Sequence, residues 1–176
     1  MIEIERKCYL EPRHIAGIRK LGKLLFRSTF TDVYYDTKDY SYTRQNIWLR
    51  KRDGVYELKR RLKTEVYEEI TQMEEIEKIV DLEKVHPFAT FATTRERYKL
   101  FNVTVDLDLT DFGHEVGEIE ILVEKESEVP KAEKKLDSML AQFGIDSTKK
   151  PQKKIAAYLE RESSAHYHIL KNLGVI

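Results

Sequence analysis

Pairs of like charges two residues apart recur along this chain, and five of them constrain its fold more than any other feature. Three are acidic: Glu3 and Glu5, Asp106 and Asp108, Glu118 and Glu120. Two are basic, Arg50 with Arg52 and Arg95 with Arg97, and Lys59 adds a single cation. Side chains alternate between faces in an extended chain, so residues i and i+2 share a face. The opposite phase is apolar in the acidic segments: Ile2 and Ile4, then Val105, Leu107 and Leu109, then Ile119, Ile121 and Val123. This predicts strands with one apolar face and one charged face. A helix-covered antiparallel sheet with a wet outer face would show the same alternation. Like charges on one face, however, cost on the order of tenths of a kcal/mol per pair, and a solvated face has no reason to collect three acidic pairs. A closed barrel, whose strands alternate in and out around a charged aqueous channel, accounts for the segregation of sign better. Arg and Lys in such a channel grip phosphate oxygens, Arg in bidentate fashion. The acidic cluster suits Mg2+, with Mn2+ as the alternative.

The chain order fills in the rest. MIEIERKCYL reads as a first strand with Glu3, Glu5 and Lys7 on one face and Ile2, Ile4, Cys8 and Leu10 on the other. Residues 13–25 read as a helix carrying Ile15, Ile18, Leu21 and Leu25, weakened at its end by Gly22. Residues 26–36 are aromatic, Thr and Val rich and read as extended, with Asp32, Tyr34 and Asp36 on one face. IWLRKR at 47–52 and VYELKRR at 55–61 flank Asp53-Gly54, a strong hairpin signal. A further strand is expected at about 65–70, a short helix at 71–82, and one or two strands at 88–101. Two more follow at 102–109 and 116–124, separated by a turn at Phe112-Gly113. Ala132, Leu136, Met139, Leu140 and Phe143 form an amphipathic stripe between Pro130 and a terminating Gly144. A second helix starts near Pro151 and uses Ile155, Tyr158 and Leu159, and the tail at 163–173 suits a third.

Composition narrows the function. The chain has 176 residues, 41% hydrophobic and 35% charged, which suits one domain over 1–176. Lys plus Arg and Asp plus Glu are both 31, so general attraction to nucleic acid or to an acidic membrane is not expected. The one cysteine, Cys8, excludes an intramolecular disulfide and falls on the apolar phase of its strand. No run of apolar residues suits a membrane span. A soluble, cytoplasmic, monomeric protein is the expectation. The histidines show no spacing with Cys8 that suits a metal.

Glu3-Ile4-Glu5-Arg6-Lys7 resembles the ExExK signature of the CYTH superfamily, the triphosphate tunnel metalloenzymes. The later order of an RxR strand, an ELK strand, a lone-Arg strand, DLD, ExE and a late Lys makes the resemblance specific, and it covers about residues 2–160. Within the superfamily, IEIERK, TFTDVYYDT, WLRKR, VDLDLTDFGHEVGEIEILV and KKIAAYL look most like the thiamine triphosphatases.

The resemblance implies an eight-stranded antiparallel β-barrel in an α+β fold, with helices outside and a triphosphate tunnel inside. It implies that Glu3, Glu5, Asp106, Glu118 and Glu120 bind the metal. Lys7, Arg50, Arg52, Lys59, Arg95 and Lys154 would bind the triphosphate, with Lys153 the neighbouring candidate for Lys154. It casts Lys7 as a catalytic base tuned by Tyr34, and Trp48 as the ring that stacks on the organic part of the substrate. Asp108, Arg97, Glu57 and Arg61 share the phase of these residues and match the family less closely. The implied reaction is metal-dependent hydrolysis of the terminal phosphate, with thiamine triphosphate as substrate. Inorganic tripolyphosphate, ATP cyclisation and polyphosphate binding without cleavage are the alternatives.

Overall fold

The computed structural model describes all 176 residues. Eight strands follow the expected alternation: β1 (Ile2–Cys8), β2 (Lys23–Asp36), β3 (Ile47–Arg52), β4 (Val55–Lys63), β5 (Val66–Ile70), β6 (His86–Leu100), β7 (Val103–Thr110) and β8 (Glu115–Val123). They hydrogen-bond in the order β1-β5-β4-β3-β2-β6-β7-β8 and close into a barrel. The helices are α1 (Pro12–Leu21), α2 (Met73–Glu77), α3 (Val129–Phe143), α4 (Lys154–Glu162) and α5 (Ser164–Asn172). No helix is long and apolar enough to cross a membrane.

Contacts divide the chain into two compact units. One comprises Met1–Thr29 with Thr93–Pro151, the other Phe30–Ala92 with Gln152–Ile176. In the first, α3 lies against β1 and β8. Its Ala132, Leu136, Met139 and Leu140 are buried, as are Ile2, Ile4 and Ile119 on the apolar phase of those strands. Burying an aliphatic side chain contributes about 1.5–3 kcal/mol, so the apolar phase anchors the strands and leaves the charged phase on the other side. Pro130 in the first turn and Gly144, at φ 65°, bound α3 where the sequence predicts. In the second unit Leu49, Leu58, Ile70, Ile76, Val80 and Val85 form one cluster, with Tyr35, Tyr42 and Tyr56 packed on it.

Two expectations need correction. The first helix ends at Leu21, four residues early, and Lys23–Leu25 begin β2 instead. Gly22 makes the break: its backbone is extended (φ −86°, ψ 148°), and a Cβ there would stand 2.7 Å from the Ile18 carbonyl oxygen. The helix expected at 71–82 is one turn, because residues beyond Glu77 leave the helix so that Val80 and Val85 can bury. Of the one or two strands expected at 88–101 the structure has one, β6, which ends at Leu100 and tolerates Pro87 at its second position. The hairpin signal holds: Asp53 and Gly54 have φ of 45° and 92°, as a two-residue hairpin turn of this kind requires.

Candidate active site

In the first unit, cross-strand register gathers the acidic pairs. Glu5 lies opposite Glu120, and Lys7 opposite Glu118. Asp106 lies opposite Glu118 on its other side. Arg95 and Arg97 of β6 lie opposite Asp108 and Asp106. The result is one buried face holding six carboxylates, Glu3, Glu5, Asp106, Asp108, Glu118 and Glu120, none more than 8% exposed. Among them stand three cations, Lys7, Arg95 and Arg97.

Each cation is committed. Arg95 donates to both oxygens of Asp108 at 2.6–2.7 Å and to Glu118 at 3.0 Å, and its third nitrogen lies 2.5 Å from Asp106. Arg97 donates to both oxygens of Asp106 and lies 3.1 Å from Glu120. Lys7 donates to Glu5 and lies 3.4 Å from Glu118. Burial disfavours the Arg95 cation, but its hydrogen bonds to Asp108 and the fields of Asp108, Asp106 and Glu118 outweigh that, so its pKa is raised. Burial also raises Asp106, against the pull of Arg97 and Arg95. Glu120 is pushed up to about 8 by burial first and then by the negative charge of Glu3, with Arg97 opposing.

That arrangement tests whether the set suits a divalent cation. Three more carboxylates than cations share a buried face, and all the donors are hard oxygens of the kind Mg2+ and Mn2+ prefer. The donor chemistry suits such an ion, while no three of these carboxylates are arranged here to hold one.

The second unit carries the basic set. Arg52 lies opposite Asp32, and Arg50 opposite Tyr34. Trp48, Arg50 and Lys59 find Lys59, Glu57 and Glu69 respectively across the next rungs. Arg52 forms a bidentate pair with Asp32 at 2.8 and 2.9 Å and lies 4.0 Å over the Phe30 ring. Arg50 binds Glu57 at 2.6–2.7 Å. Lys59 stands 4.5 Å above Tyr67 and 3.9 Å from Glu69. Burial would raise Asp32, but the Arg52 hydrogen bond and the fields of Arg50, Arg52 and Lys154 win, and its pKa is lowered. Burial raises Tyr34, helped by Asp32 and opposed by Arg50 and Arg52, so Tyr34 is a neutral phenol hydrogen-bonded to Arg50.

The expected residues thus fall into two groups. Glu3, Glu5, Lys7, Arg95, Asp106, Glu118 and Glu120 come together in the first unit. Tyr34, Trp48, Arg50, Arg52, Lys59 and Lys154 belong to the second. Lys154, buried at the first position of α4, contributes to the field on Asp32. Trp48 is 7% exposed, with Tyr34 edge-on at 6.4 Å. Asp32 was visible only as a residue in phase with Tyr34, yet it orients Arg52. Asp36 shares that phase and does something else: its carboxylate accepts from the N–H groups of Thr37, Tyr42 and Thr43 and ties down the loop after β2.

The model of the CYTH domain matches residues 1–153. The thiamine-triphosphatase of Homo sapiens is 32% identical, over 97% of this chain and 89% of that protein. That of Macaca fascicularis is 30% identical over the same shares. Among solved structures, protein PH1819 of Pyrococcus horikoshii OT3 superposes with a TM-score of 0.64 at 23% identity, over 82% of this chain and 92% of that one. A candidate adenylyl cyclase of Hippeastrum, described as having a dominant triphosphatase activity, gives 0.62 at 17% identity over 90% and 95%. These two likenesses concern the fold.

Proposed function

The chain belongs to the CYTH domain family, and we propose that it hydrolyses the terminal phosphate of a triphosphate, with thiamine triphosphate as the substrate. The observation that carries this reading is the buried surplus of carboxylate in the first unit. Glu3, Glu5, Asp106, Glu118 and Glu120 would hold Mg2+ or Mn2+. When bound, such an ion neutralises phosphate oxygens and makes a water acidic enough to attack at neutral pH.

The remaining steps rest on side chains. Arg50, Arg52, Lys59 and Lys154 supply positive charge for the phosphate chain. Arg52 meets Asp32 through two of its three nitrogens and so has donors left for a phosphate oxygen, while Asp32 fixes the plane of the fork. Arg50 is aimed in the same way by Glu57. Arg95 holds Asp106, Asp108 and Glu118 in place, which makes it a positioning residue for the acidic set. Lys7, set between Glu5 and Glu118, is the candidate for proton transfer or for stabilising charge as the terminal phosphate leaves. Tyr34 keeps its phenol proton and supports Arg50. Catalysis is positioning and electrostatics, as in other phosphoryl transfers.

Inorganic tripolyphosphate is the second reading. It is favoured by the burial of Trp48, which offers little ring surface to an organic group. Phosphate release from thiamine triphosphate, tripolyphosphate and ATP, each with Mg2+ and with EDTA, separates the readings. The proposal expects release from thiamine triphosphate that EDTA abolishes, and no release from any of the three overturns it. Trp48→Phe keeps the packing and should slow thiamine triphosphate turnover more than tripolyphosphate turnover. Lys7→Ala should lower turnover by about two orders of magnitude or more while the fold survives.

A further inference from the structure

β2 is fourteen residues long, and its ladder with β3 pairs only Asp32 through Tyr35. One more link joins Thr31 to Asp53: the Thr31 N–H donates to the Asp53 carboxylate at 3.0 Å, and the Asp53 N–H to the Thr31 carbonyl at 3.2 Å. At Asp53-Gly54 the chain turns back into β4, so β3 has no residue left for Lys23–Thr29. The other edge of that segment is occupied, because Thr29 meets Thr94 at 2.9 Å and Phe26 lies 5.7 Å under the Arg97 guanidinium. Lys23–Thr29 is therefore a strand with one edge used and one edge open.

All seven of its residues are exposed, and Leu24, Leu25 and Phe26 are 50%, 48% and 41% exposed in succession. Proteins normally blunt such an edge by keeping it short, bulged, covered or charged, and of these devices this edge has only the charges of Lys23 and Arg27, which repel a like-charged strand and admit an acidic one. Three exposed large apolar residues in a row are instead the mark of a surface that meets a partner. The charges say which kind. Lys23 and Arg27 share a face with Leu25 and Thr29, and the segment contains no carboxylate. The nearest acid to Arg27 is Glu96 at 3.8 Å, which Arg19 already holds through two hydrogen bonds of 3.1 Å. A second copy paired antiparallel about Phe26 would set Arg27 diagonal to the other copy's Lys23 and Arg27, which is repulsive. An acidic strand would gain opposite-charge cross-strand pairs, each contributing about 0.2–1 kcal/mol.

We propose that Lys23–Thr29 is a docking edge for an extended segment of a partner protein. That segment adds a strand beside β2, with acidic residues facing Lys23 and Arg27 and apolar residues facing Leu24 and Phe26. Main-chain hydrogen bonds supply affinity and the alternating side chains supply selectivity.

The test uses the full chain and a synthetic peptide of alternating Glu and Val, about eight residues long to match the edge. Saturable binding is expected with a Kd on the order of 10–100 µM. It should weaken about tenfold or more between low and high salt, since the pairs are exposed and screened. Methylating the peptide nitrogens that face β2 should abolish it, and the amides of Lys23–Thr29 should gain protection from hydrogen exchange on binding. The double variant Lys23→Glu, Arg27→Glu should instead select a peptide of alternating Lys and Val. No binding at about 1 mM peptide, or equal binding of the methylated peptide, overturns the proposal. So does a protein that self-associates through this edge and leaves it closed to the peptide.

Discussion

The acidic and basic sets are assembled in the same way and finish with opposite balances. In each, alternate residues of neighbouring strands are brought side by side by register, and in each carboxylates hold the arginine forks. In the acidic set six carboxylates face three cations, and burial together with the negative charge of Glu3 pushes Glu120 up to about 8. In the basic set Arg50, Arg52, Lys59 and Lys154 face Asp32, Glu57 and Glu69, close to neutrality with one positive charge over. The first set carries the surplus of carboxylate on which the proposed metal site rests. The second is already ordered, and has donors rather than net charge to offer an anion. The contrast teaches that segregated charge need not mean uncompensated charge, and that the size of the imbalance distinguishes the face proposed to hold a metal from the face proposed to grip phosphate.

The most severe way to break this comparison is to remove Asp106. It binds Arg95 and Arg97 together at 2.5–2.7 Å with no exposure of its own. Asp106→Ala leaves two guanidinium groups short of a partner, which should cost about 3–5 kcal/mol of stability by urea denaturation and nearly all activity. A drop below about 1 kcal/mol would mean that the face is wetter than its burial indicates.

A second experiment sharpens the difference. Glu120→Gln removes one donor from the acidic set and should raise the Mg2+ concentration for half-maximal rate by about tenfold or more, with KM for substrate little changed. Arg52→Lys, which loses the bidentate fork, should do the reverse: KM rises by about tenfold and the Mg2+ requirement stays. If both variants moved the same parameter, the two sets would not have separate roles.

Much of this was legible before the structure. The i, i+2 pairs place Glu3, Glu5, Arg50, Arg52, Glu118 and Glu120 in the right phase because a strand's period is two and tertiary packing cannot change it. Which pair meets which is another matter. Arg95, expected among the phosphate ligands, is wrapped by Asp108, Asp106 and Glu118, partners that phase alone does not name. The signal was there: a two-residue turn at Phe101-Asn102 sets Leu100 against Val103, and counting back puts Arg95 opposite Asp108. The pairing of Asp32 with Arg52 was not legible. Ten residues separate β2 from β3, and their path depends on Asp36 gathering three backbone N–H groups. The helix expected at 13–25 stops at Leu21 on a steric point, the approach of Gly22 to the Ile18 carbonyl, that a periodicity count does not register.

The same loop gives the basic unit a pH dependence of its own. His166 of α5 is fully buried, stacked on Tyr40 at 3.5 Å between ring centres, and hydrogen-bonded through Nε2 to Thr43. Burial lowers its pKa from 6.5 to about 4, against the attraction of Asp36. The unfolded chain therefore binds this proton more readily than the folded one between pH 6.5 and about 4. The stability due to neutral His166 is complete above pH 6.5 and is lost as the pH falls through that window. Its size is about 3 kcal/mol. His166→Gln shares every other titration with the parent protein, so the difference between their stability curves isolates the imidazole. Parallel curves between pH 7 and 4 would remove it from the account.

The smallest effect is the control that gives the others meaning. Arg60 sits between Lys59 and Arg61 on β4, but its side chain takes the other face. There it lies opposite Glu68 in register and bonds it at 2.5–2.9 Å. Charge, length and pairing partner match those of the arginines in the basic set, and only the face and the exposure differ, at 43% for Arg60 against 17% for Arg50. In water the Coulomb gain of such a pair is offset by hydration and by side-chain entropy, leaving about 0.2–1 kcal/mol that salt screens. Arg60→Gln should therefore cost that little in denaturation at low salt, less at high salt, and nothing measurable in kcat or KM. If it raised KM as Arg52→Lys is expected to do, proximity to β4 rather than orientation would be setting the phosphate interaction, and the division of this strand into a working face and a packing face would be wrong.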